Sequence, residues 1–178
     1  RHPFAVASSK LRLQNWLWVD AATTLLEQKH LVDDYLQPHV EMISSVSDPF
    51  EMHVLLWSIM NMVPLLQLPE SSLHVVTYEG LCRTPTEELK GLADWLGWDS
   101  TVLEDPRIES AVRRPSRTVR SDSAIQIASD PVTSWFEQVT ADMRDRGLKI
   151  LESFGLGDLY DQDGLPDPTA IRRFRMSA

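Results

Sequence analysis

The sequence predicts an α/β fold, mostly helical in the part present, with one or a few parallel strands. Two observations carry this. Leu73-His74-Val75-Val76-Thr77-Tyr78 is a short, apolar, β-branched run bounded by Pro69-Glu70-Ser71-Ser72 and Gly80, the pattern of a buried strand. Five stretches with helical periodicity surround it. A lone strand needs partners. A parallel sheet whose other strands precede Arg1 in sequence accounts for the pattern.

The elements follow in order. Arg1-His2-Pro3 reads as the end of a strand or loop, because proline removes a donor and restrains its predecessor. A helix is expected from Phe4, with Val6, Leu11, Leu13, Trp16 and Leu17 on its apolar face. Asp20 is placed to cap a second helix carrying Leu25, Leu26, Leu31, Val32, Tyr35 and Leu36, which Pro38 kinks or ends. Asp48-Pro49 is a cap followed by a first-turn proline, and opens a third helix that is expected to stop near Pro64. Thr84-Pro85-Thr86-Glu87 has the spacing of a capping box, and Gly97 ends the helix it opens. Residues 99–130 are polar and irregular, with a turn of helix near Ile108. Asp130-Pro131 starts a final long helix through Trp135, Val139, Met143, Ile150 and Leu151, ended by Gly155. One domain is expected over 1–160, with 161–178 as an extended tail rich in proline and glycine.

Composition narrows the function. The chain has 178 residues, 43% hydrophobic and 24% charged, an ordinary globular balance. A net charge of −9 argues against general nucleic-acid binding. The apolar run Val54–Leu68 is too short to span a bilayer. No signal peptide is visible, and the single Cys82 fits a reducing compartment, so a cytoplasmic location is expected. The five histidines show no metal-ligand spacing. Against the acidic background stand five arginines, Arg107, Arg113, Arg114, Arg117 and Arg120, accompanied only by Glu109. That local cluster suggests a compact anionic ligand, or else a solvated basic loop.

Three segments carry candidate chemistry. In the first, Arg1-His2-Pro3-Phe4-Ala5-Val6-Ala7-Ser8-Ser9, a guanidinium fork, a hydroxyl and a helix start can share one anion. It also serves as a plain strand-to-helix connection. The second is Tyr78-Glu79-Gly80-Leu81, where Tyr78 ends the predicted strand and is placed either to meet a nucleotide base or to fill the core. The third, Arg113 to Ser123, alternates arginines with hydroxyls, the donor set of a phosphate site.

The order and spacing of these segments resemble the sulfotransferases that use 3′-phosphoadenosine 5′-phosphosulfate (PAPS). Arg1-x-Pro3 with Ser9 eight residues on, Tyr78-Glu79-x-Leu81 before Pro85 and Gly97, and the basic hydroxyl-rich Ser116–Ser123 before Trp135 are similar to that family's segments. The resemblance runs from Arg1 to about Tyr160. It implies the C-terminal part of a P-loop-like three-layer α/β domain. It implies Arg1 and Ser9 as ligands of the 3′-phosphate, Tyr78 against the adenine, and Ser116, Arg117 and Arg120 closing over the nucleotide. The reaction implied moves a sulfuryl group from PAPS to a hydroxyl, or an amine, of a small-molecule, glycan or peptide acceptor, with no metal. The family's phosphosulfate loop and its acid–base group have no counterpart here: no G-x-x-x-x-G-K-[ST] or related segment occurs. The chain alone is therefore expected to be inactive. Two other readings stand beside it: a P-loop kinase-like nucleotide-dependent transferase, and a non-catalytic helical interaction module.

Overall fold

In the computed structural model, residues 1–12, 21–99, 101, 103, 105, 107–108 and 130–176 are described. Over these the chain is helical. Helix α1 spans Pro3–Arg12 and α2 spans Ala21–Leu26. The chain then passes through a turn at Lys29–Leu31, a π segment at Val32–Leu36 and a 3-10 turn at Gln37–His39 before α3, Val40–Ser45. Helix α4 is Pro49–Gln67, α5 Tyr78–Arg83, α6 Pro85–Leu96, α7 Ala141–Ser153 and α8 Pro168–Met176.

The α/β expectation, with its P-loop-like three layers and parallel strands, is overturned: no sheet forms among the described residues. The predicted strand is extended, with φ/ψ of −137°/118° at Leu73 and −103°/144° at Thr77. No backbone hydrogen bond joins His74, Val75 or Val76 to another described residue. A strand is defined by its ladder, and a local run of β-branched residues does not supply one. The lone backbone bridge described, Tyr160 with Pro166, belongs to a turn.

Helix α4 is the centre. Asp48 caps it, accepting from the N–H groups of Phe50 at 2.9 Å and Glu51 at 3.1 Å, with Pro49 in the first turn. Its buried residues, among them Phe50, Val54, Leu55, Ser58 and Ile59, lie on nearly every side, as in a helix enclosed by neighbours. It continues through Pro64 to Gln67, beyond the predicted stop. Proline costs the helix one N–H, yet Leu65 beyond it is buried and the Leu68 N–H still reaches Pro64 O at 3.0 Å.

Helices α1 and α7 pack on α4. Gly147 makes the approach of α7 possible: a Cβ there would lie 2.6 Å from Phe4 Cε1 and 3.3 Å from Phe50 Cε1. Arg146 ties α7 to the start of α4, donating to Glu51 at 2.6 Å. The single long helix expected from Asp130 is instead two pieces. Asp130 organises a turn by accepting from the Val132 N–H at 3.0 Å, Ser134–Glu137 is a 3-10 turn, and Thr140 then caps α7. A cap residue breaks the chain where the apolar spacing alone implied continuity. Residues 161–178, expected as a tail, include α8, whose Ala170 is buried and whose Phe174 lies against Gly155.

Candidate functional site

Arg1 and Tyr78 meet. The Arg1 guanidinium carbon lies 4.7 Å from the centroid of the Tyr78 ring, a cation–π arrangement. Two anchors set this geometry. The indole N–H of Trp57, on α4, donates to the Arg1 carbonyl at 3.0 Å. The His2 N–H donates to Glu79 Oε1 at 2.7 Å, and the Arg1 backbone nitrogen lies 3.9 Å from Glu79 Oε2. Glu79 is fully buried at 1% exposure, so its hydrogen bond to His2 matters: an uncompensated buried carboxyl would be costly. Thr77 supplies the third constraint. Its hydroxyl accepts from the Gly80 N–H at 3.1 Å and caps α5, which places Tyr78 and Glu79 in the first turn. Tyr78 thus starts a helix rather than ending a strand.

His2 sits behind this pair as the cap of α1. Its Nδ1 accepts from the Phe4 N–H at 3.1 Å, so the ring proton is on Nε2. The ring stacks on Trp135 at 4.3 Å and meets Tyr160 edge-on at 4.7 Å. Burial drives the His2 pKa down to about 3. Burial also lowers His39 and His53. Burial and a hydrogen bond with Cys82 push Tyr78 up to about 12, so its phenol stays neutral. Burial likewise raises Tyr160 and Cys82, which leaves the Cys82 thiol protonated at neutral pH.

These histidines set an expected pH dependence. Their folded pKa values lie below the unfolded value near 6.5, so the unfolded chain binds more protons as pH falls. For His2, stability should therefore be full above about pH 6.5 and decline toward pH 3 by up to about 1.4 kcal/mol per unit, with His39 and His53 acting in the same direction. Urea titrations at pH 7, 6 and 5 measure the slope. His2→Asn, which keeps an acceptor for the Phe4 N–H, should flatten it. An unchanged slope would show that His2 takes up protons in the folded state.

Beside Arg1, between α4 and the extended 73–77 run, opens a cavity of about 250 Å³ lined by residues including Trp57, Met60, His74, Thr77 and Tyr160. Ser9 lies two turns along α1, about 9 Å of helix rise beyond Pro3. It is half-buried, and its hydroxyl makes no hydrogen bond among the described residues, whereas Ser8 donates to Ala5 O at 3.3 Å. The geometry thus joins Arg1 to Tyr78, while no hydrogen bond among the described residues ties Ser9 to either. Ser116, Arg117 and Arg120 lie outside the described residues, as do Arg113 and Arg114. Sequence reasoning missed Trp57 and Glu79 as anchors. The available signal for Glu79 was an acidic residue at the end of the run Leu73–Tyr78.

No group of side chains among the described residues has the make-up of a metal site. Among the same residues no helix is long and apolar enough to cross a membrane. Comparison with family models, curated proteins and solved structures finds no match for this chain.

Proposed function

We propose that this chain grips the 3′-phosphoadenosine end of PAPS in a cytoplasmic sulfotransferase that passes the sulfuryl group to an acceptor hydroxyl. The observation that supports this best is the meeting of Arg1 with Tyr78, residues 77 apart that the resemblance assigns to the same nucleotide. A guanidinium is a forked phosphate donor, and a neutral aromatic beside it offers a face to a purine. In this reading Arg1 holds the 3′-phosphate, Ser9 assists it, and Ser116, Arg117 and Arg120 close over the ligand. Transfer itself is a matter of positioning and charge stabilisation at the 5′ end.

Calorimetric titration tests the assignment. Adenosine 3′,5′-bisphosphate should bind at least about tenfold more tightly than adenosine 5′-phosphate, since one charge-assisted contact contributes on the order of 1.5–3 kcal/mol. Equal affinities, or no binding of either nucleotide, would refute it. The 178 residues hold no phosphosulfate loop, so they should transfer no labelled sulfate from PAPS by themselves. Measurable transfer would place the sulfate-gripping groups inside this chain.

A second reading, a helical interaction module, is favoured by the apolar end of α6. There Trp95, Leu96 and Trp98 are 43%, 40% and 64% exposed. A rise in melting temperature with the bisphosphate but not with inorganic phosphate separates the two readings in favour of the nucleotide.

A further inference from the structure

Arg1 covers a face of the ring that the proposed function gives to the base. Its main chain cannot retreat, because Trp57 holds the Arg1 carbonyl and Glu79 holds the next N–H. Only the guanidinium is free to move, and it rests 4.7 Å above Tyr78. A purine stacking on that face must first displace it. The geometry points to Arg1 as a displaceable cover on Tyr78 that makes the site selective for adenylates carrying a 3′-phosphate. This inference rests on the nucleotide reading given above.

The selectivity follows from what the guanidinium gains after it leaves. With a 3′-phosphate present, Arg1 exchanges a partly exposed cation–π contact for a charge-assisted hydrogen bond, the stronger of the two. With a ligand that lacks the phosphate, the contact is lost and nothing replaces it. Discrimination therefore has two parts: attraction of the right ligand and a built-in cost for the wrong one. Arginine suits both roles because its planar group stacks on a ring and forks onto phosphate.

A sign change between two ligands is the test. Adenosine 3′,5′-bisphosphate and adenosine 5′-phosphate are titrated against the full chain, Arg1→Ala, Tyr78→Leu and the double variant. Arg1→Ala should weaken the bisphosphate by at least about tenfold yet tighten adenosine 5′-phosphate by about two- to fivefold, the equivalent of a surface cation–π contact. In the Tyr78→Leu background that gain should vanish, since no ring remains to be uncovered. If Arg1→Ala weakened the bisphosphate but gave no gain for adenosine 5′-phosphate, the cover would be refuted while the nucleotide reading stood. If the bisphosphate were unaffected by Arg1→Ala, or bound to neither the wild type nor any variant, the nucleotide reading itself would fall and the cover with it.

Discussion

Arg1→Ala should weaken binding of adenosine 3′,5′-bisphosphate by about ten- to a hundredfold, the largest ligand effect expected of any single change among the described residues. The range follows from losing one charged hydrogen bond, about 1.5–3 kcal/mol, at about 1.4 kcal/mol per decade. The loss should appear without a matching loss of stability, because the Arg1 side chain is about one-third exposed and the fold-holding contacts of this residue belong to its main chain. Ser9→Ala should act in the same direction but by only about two- to tenfold, since a neutral hydroxyl contributes about 0.5–1.5 kcal/mol. Ser9 lies six residues beyond Pro3 in α1, so its result tells whether the ligand reaches that part of the helix. A full-strength effect of Ser9→Ala with none from Arg1→Ala would move the phosphate away from Tyr78 and refute the assignment.

Phe50→Ala should cost about 3–5 kcal/mol of stability, the usual range for truncating a buried aromatic. Phe50 is 2% exposed, lies 5.6 Å from the Phe4 ring and borders the position where Gly147 lets α7 approach. The cavity it leaves would sit where α1, α4 and α7 converge, and the surrounding helices are held by other contacts that resist collapse into it. Gly147→Ala tests the same junction from the opposite side, by overpacking it. Its Cβ would press on Phe4, and Phe4→Leu in the same chain should recover part of the loss. Denaturant midpoints measure all three. A Phe50→Ala cost below about 1 kcal/mol would show that this junction is not the centre of the core.

Local signals were the legible part of this sequence. Asp48-Pro49 and Gly97 mark helix boundaries through their own chemistry, a carboxylate accepting main-chain N–H groups and a residue at φ 68°, and the structure places both as read. Thr84 shows the limit of such motifs: it precedes α6 as expected, but its side chain makes no cap bond, and only its carbonyl accepts from Glu87 and Glu88. That no sheet forms among the described residues was not legible, because alternation and β-branching describe a residue's preference for a pleated surface and say nothing of the strand beside it. The break at Thr140 was missed for a related reason. Trp135, Val139 and Met143 keep helical spacing across it, so the apolar pattern is blind to a capping threonine between them. Of the site, the resemblance set Arg1 and Tyr78 on one nucleotide, but their direct contact was not legible. Nor were the anchors, since Trp57 and Glu79 act through single long-range hydrogen bonds that leave no periodicity in the chain.

The bond from His2 to Glu79 spans 77 positions in sequence and that from Trp57 to Arg1 spans 56. Each closes a large loop, and closure entropy must be met before the contact is rewarded, while the helices between them form from neighbours. The cavity beside Arg1 is thus a property of the assembled chain and of no excised part of it. A ligand bridging Arg1 and Tyr78 fastens the ends of the longer loop together. Its binding energy therefore adds to the free energy of unfolding as a whole, by about 2.7 kcal/mol when the ligand stands at a hundred times its Kd.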